Sequence, residues 1–217
     1  MYTLLYIAAF SILIPVIASI RYYRNQPVYL RLLSWFLWIC ALTDLSSHVL
    51  AEWYINTDPS LHIYTIVEFA FLILILQPHL PSFFTVQKAW YVILLFSVFG
   101  LYNMFFLQGV FAFNSYALAV ESIAMIMLTV WYFYHVLQEL SEKKLTESPI
   151  FWISTGILTY FSVNLFMYII GRYLSENSFA WAWAIIHNVN YILRNLLFFT
   201  GIWKTRKPLS KSSFLEP

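Results

Sequence analysis

Charge is what this sequence has least of. Lys, Arg, Asp and Glu make up 10% of its 217 residues and 61% are hydrophobic, whereas a soluble domain carries about 25% charged residues. So small a polar complement excludes a globular domain in water and points to lipid as the solvent. The net charge of +2 gives no reason to expect a nucleic-acid partner. Cysteine is almost missing. Cys40 stands alone, so no intrachain disulfide can form, and its apolar surroundings mark it as a small buried side chain. The N-terminus lacks the positive segment that opens a signal peptide, because Arg21 follows the first apolar run. That order favours a retained first helix with its N-terminus outside. Long connections are missing as well. With nothing between the apolar runs longer than 138–149, no separate ligand-binding domain outside and no kinase, cyclase or DNA-binding domain inside is expected.

What the chain does have is apolar length. A spanning helix needs about 20 mostly apolar residues, and seven runs meet that need: 2–20, 31–52, 62–80, 89–107, 115–137, 150–170 and 180–203. Positive residues set the orientation. Arg21, Arg24, Arg31, Lys88, Lys143, Lys144, Lys204, Arg206, Lys207 and Lys211 fall on one side, Arg172 alone on the other, and Arg194 inside a run. The crowded side is therefore expected in the cytoplasm. Aromatics, 21% of the chain, fit interfacial belts, with Trp53, Trp181 and Trp183 at the outer boundary and Trp35, Trp90, Trp152 and Trp203 at the inner one. Pro15 should kink the first run, and Ser148-Pro149 should open the sixth. The expected fold is all-α: a polytopic seven-transmembrane-helix bundle over 1–203, N-terminus outside, followed by a basic cytoplasmic tail over 204–217.

Ionisable residues inside spans are costly and face the bundle interior or a water-filled cavity, so they locate function. The second run carries Asp44, Ser47 and His48 on one helical face, three and four residues apart. Glu68 lies in the third run, Asn103 in the fourth, Glu121 in the fifth, Asn164 in the sixth, and His187, Asn188, Asn190, Tyr191, Arg194 and Asn195 in the seventh. Counted from the run ends, all but Arg194 and Asn195 reach a similar depth, about 9–10 Å below the outer surface at 1.5 Å per residue. This points to one polar chamber open to the outside, lined by Asp44, His48, Glu68, Glu121, Asn164, His187, Asn190 and Arg194. Asp44 is the expected partner of Arg194. His62, His79 and His135 lie near run ends and are expected at the interfaces.

Three chemistries suit such a chamber. His48, Glu68, Glu121 and His187 offer nitrogen and oxygen ligands for a divalent metal, Zn, Fe or Mn, although no His-x-x-x-His, His-Glu-x-x-His or Glu-x-x-His spacing is present. Haem between His48 and His187 has no other feature to support it. A small polar or amphiphilic ligand asks least of the sequence. Retinal is excluded, because the seventh run holds no Lys before Lys204. The segments Ile63-Tyr-Thr-Ile-Val-Glu68-Phe69, Ser148-Pro-Ile-Phe-Trp-Ile-Ser154 and Ile186-His-Asn-Val-Asn190 before Arg194 resemble uncharacterised bacterial seven-helix integral membrane proteins, some found beside two-component signalling genes. That resemblance implies the bacterial cytoplasmic (inner) membrane and a sensing role with a membrane or cytoplasmic signalling partner. Asp44-x-x-x-His48 and His187-x-x-x-Tyr191 also show a faint similarity to alkaline ceramidase and adiponectin receptor-type hydrolases; only His48 and His187 match their zinc-binding positions. The leading expectation is a sensor or receptor-like binding protein in the lipid bilayer. An intramembrane metal-dependent enzyme and a small transporter are the alternatives.

Overall fold

The computed structural model describes residues 2–138, 145–170 and 176–206, and among them the chain is helical with no strand. Eight α-helices follow in order: α1 (Tyr2–Ser11), α2 (Leu13–Tyr22), α3 (Val28–Glu52), α4 (Asp58–Leu76), α5 (Val86–Tyr102), α6 (Ser115–Gln138), α7 (Pro149–Ile170) and α8 (Glu176–Trp203). α1 and α2 are two halves of the first apolar run. Pro15 has no N–H to give the Ser11 carbonyl, and the break falls at Ile12, one turn before the proline. Pro149 is the first residue of α7, as its fixed φ suits. At the start of α5, Thr85 accepts from the Lys88 amide at 3.4 Å.

Among the described residues, six helices are long and apolar enough to cross a membrane: Thr3–Tyr22, Val28–Glu52, Asp58–His79, Val86–Leu107, Ser115–Gln138 and Pro149–Ile169. Their outward faces carry Leu42, Leu45, Leu94, Leu95, Phe105, Phe106 and Met127, all exposed. Such faces are tolerated in hydrocarbon and not in water, so the chain is an integral membrane protein. α8 is longer still, 28 residues, but His187, Asn188, Asn190, Arg194 and Asn195 dilute its apolar character. Of the residues that set the expected orientation, Lys143, Lys144, Arg172, Lys207 and Lys211 lie outside the described residues, as does the tail from 207.

Neighbouring helices close a ring. α2 packs on α3, α3 on α4, α4 on α6, α6 on α7, α7 on α8, and α8 on both α1 and α2. α5 packs on α4 outside this ring, where Phe96 stacks on Phe69 with centroids 3.9 Å apart. One end of the ring is plugged by apolar side chains: Leu33 and Phe36 from α3, Ile73 and Leu76 from α4, Ile153 from α7, and Phe198 and Ile202 from α8 are all buried. Buried Glu68 and Arg194 of the same helices lie away from this plug, toward the other end.

Candidate functional site

Arg194 is the hub. It is 1% exposed, and its Nη1 donates to Glu68 Oε1 at 3.0 Å, joining α8 to α4 across the ring. The pairing corrects the expectation that Asp44 would meet Arg194. α4 begins at Asp58, four residues before the apolar run, so Glu68 lies about 15 Å from its helix start, deeper than hydropathy alone placed it. The guanidinium also lies 4.3 Å from the Tyr160 ring centre and 4.6 Å from that of Tyr191, two cation–π contacts that help offset its lost hydration. Glu68 receives a second hydrogen bond from the Tyr64 hydroxyl at 3.2 Å, and Cys40 Sγ lies 3.2 Å from the same hydroxyl. The single cysteine is buried, as its surroundings implied.

Tyr191 connects this hub to a cleft. Its hydroxyl donates to Asp44 Oδ2 at 2.5 Å. Asp44, His48, His187, Asn188 and Tyr191 line the cleft with Leu5, Ala8 and Ala9, and its volume is about 100 Å³. α1, α3 and α8 thus form its three walls. His187 is held from two sides: its Nδ1 donates to Asn164 Oδ1 at 3.2 Å, and Trp183 stacks on it with centroids 4.7 Å apart. With Nδ1 carrying the proton, Nε2 of the neutral ring is left as an acceptor. His48 stands at the exposed rim.

The structure therefore divides the expected chamber. Asp44, His48 and His187 meet in the cleft, with Asn164 behind them. Glu68 and Arg194 form the hub. Asn190 does not line the cleft; it donates to the Tyr160 carbonyl at 2.9 Å and ties α8 to α7. Asn195 donates to Ser11 Oγ at 2.8 Å and ties α8 to α1. Glu121 does not line the cleft; it is 0% exposed, and neither carboxylate oxygen has a hydrogen-bond partner among the described residues. Hence the expected metal set of His48, Glu68, Glu121 and His187 is not assembled. α4 separates α6 from α3 in the ring, and among the described residues no three His, Cys, Asp or Glu side chains are placed to share a metal ion.

The sequence reading gave Tyr64 and Tyr191 no role in the site. Tyr64 is four residues before Glu68 and Tyr191 four after His187, a spacing that puts each pair on one helical face. It named Asn103 but not the second polar network to which that residue belongs, at the α5–α6 connection. Asn103, in a π-turn after α5, donates to Gln108 at 2.9 Å and to Asn114 at 2.8 Å; Asn114 donates to Thr65 at 3.1 Å, and Gln108 donates to Ser115 at 2.7 Å. His62, expected at an interface, is buried and donates through Nε2 to the Ala112 carbonyl at 3.0 Å. This network clamps α4, α5 and α6 and leaves the cleft untouched. Asn114→Ala should cost about 1–1.5 kcal/mol in detergent unfolding without altering anything bound at the cleft. Comparison with known proteins returns no matching family model, no matching curated protein and no matching solved structure.

Proposed function

We propose that the chain is a membrane-embedded sensor: a seven-span bundle, N-terminus outside and C-terminus in the cytoplasm, whose cleft takes a small polar molecule or the headgroup of an amphiphile. The observation that carries this reading is the unbroken link from cleft to helix packing. Asp44 and Tyr191 are hydrogen-bonded in the cleft wall, Tyr191 lies against Arg194, and Arg194 holds Glu68 across the ring. An occupant that competes for Asp44 or Tyr191 shifts the surroundings of the Arg194–Glu68 pair. That differential contact is what a ligand needs to bias helix packing. α8 carries Tyr191 and Arg194 and continues into the turn Lys204–Arg206, which gives the signal a route to a membrane or cytoplasmic partner. The resemblance to bacterial proteins found beside signalling genes points the same way.

Size narrows the occupant. Ligand pockets commonly span about 300–1,000 Å³, and a cleft of about 100 Å³ holds only about three waters at roughly 30 Å³ each. The part recognised is therefore a few heavy atoms, with acceptors for a donor group at Asp44 and His187 Nε2. The apolar plug beyond the hub disfavours transport.

Mass spectrometry of the purified protein tests this, comparing wild type with Asp44→Asn and His48→Ala. The expected result is one small polar molecule or amphiphile per wild-type chain, reduced at least about tenfold in each variant while the helical signal persists; tenfold corresponds to about 1.4 kcal/mol, within the worth of one hydrogen bond to a charged group. A wild-type protein with nothing bound, or variants that retain the molecule in full, would contradict the reading.

A further inference from the structure

Glu121 is used neither by the cleft nor by the Arg194–Glu68 pair. It sits on α6 within the ring, fully buried, and both of its oxygens lack a hydrogen-bond partner among the described residues. An ionised carboxylate without a partner is among the most expensive groups to bury, and hydrocarbon around the bundle makes relaxation by water harder. The charged and titratable groups facing it are Glu68 on α4, Arg194 on α8, and Tyr160 and Tyr168 on α7. Arg194 is the single cation in that set, and it already pairs with Glu68. A second carboxylate served by the same guanidinium leaves the ring interior with a net negative charge. A bound metal ion needs several donors, and among the described residues no three acidic, His or Cys side chains are placed to hold one.

We propose that Glu121 is a proton-binding site: at neutral pH its carboxyl holds a proton taken from water and is neutral in the packed ring. The proton is the one cation that balances this carboxylate without occupying space. Loss of that proton obliges the ring to admit water or a cation beside α6, so the site ties proton occupancy to the packing of α6 against α4 and α7. This does not depend on what occupies the cleft, which lies between other helices.

Infrared spectroscopy of wild-type protein carrying ¹³C-glutamate tests it directly. The expected result at neutral pH is a protonated-carboxyl C=O band that moves with the isotope label and with D₂O. The label separates glutamate from Asp44. The band should vanish in Glu121→Gln and remain in Glu68→Gln. Glu121→Gln should also keep the wild-type thermal midpoint, because a neutral amide replaces a neutral acid of the same shape. Absence of the band in folded wild-type protein overturns the proposal, whether or not any variant folds. So does a band that survives in Glu121→Gln, or a stoichiometric cation that is lost in that variant.

Discussion

Arg194→Ala should destabilise the bundle by about 3–5 kcal/mol, the cost of leaving one partner of a buried ion pair alone. The expectation is at this upper range for two reasons. Glu68 is itself buried and would keep only the Tyr64 hydroxyl as a donor. The guanidinium also fills the space between the Tyr160 and Tyr191 rings, so its removal opens a void at the ring centre as well as unpairing a charge. Arg194→Lys separates the two contributions. It keeps a positive charge within reach of Glu68 but loses the planar group that lies on both rings, and should recover only part of the stability. Unfolding in mixed detergent, followed by helical signal, reads both values. Equal stability of wild type and Arg194→Ala would mean that Arg194 is not the hub.

Gly201→Leu should cost about 3 kcal/mol, the upper end for overpacking, and should loosen α8 from α7. A Cβ at Gly201 would lie 2.9 Å from the Pro149 carbonyl oxygen and 2.9 Å from Ile153 Cγ1. The side chain can yield, but the backbone oxygen cannot. Gly156 on the facing helix is nearly as tight, with a Cβ 3.1 Å from the Phe198 ring. Between lipid-bathed helices there is little hydrophobic gain to hold a separated pair together, so close approach through small residues supplies the attraction. α7 and α8 also share the Asn190–Tyr160 and His187–Asn164 hydrogen bonds. Splaying them should therefore disturb the cleft wall too, and any cleft occupant should bind more weakly to Gly201→Leu than to Gly201→Ala. Thermal midpoints of the two variants, with co-purified ligand quantified for each, check both parts.

The spans were legible because lipid imposes a length and a polarity on every helix that crosses it: six of the seven apolar runs coincide with helices long and apolar enough to cross a membrane, and the seventh falls on the more polar α8. Helix starts were less so. Hydropathy registers only the apolar stretch, whereas α4 begins at Asp58 and α8 at Glu176, one polar turn earlier. The extra turn of α4 changed the depth assigned to Glu68. The inward-facing polar residues were recognisable as a set, since isolated Asp, Glu, His and Arg are poorly tolerated in hydrocarbon. Which of them meet was not. That depends on the order of helices around the ring, and nothing local says that α4 stands opposite α8 while α5 lies outside on α4. For the same reason a shared apparent depth did not bring the four metal-competent side chains together among the described residues. His48 turns to an exposed rim on α3, while Glu121 is sealed on α6. Pro15 announced a kink, and the missing N–H placed the break at Ile12.

The central claim is that α4 and α8 are locked across the ring by Glu68 and Arg194, and a double-mutant cycle on these two residues tests it most directly. Glu68→Leu and Arg194→Leu should each destabilise strongly. The double variant, with no charge left unpaired, should regain most of the loss, giving a coupling of at least about 2 kcal/mol, within the range for contacting residues. Losses that add to within about 0.5 kcal/mol, as they do for distant independent sites, would show that the two side chains do not meet.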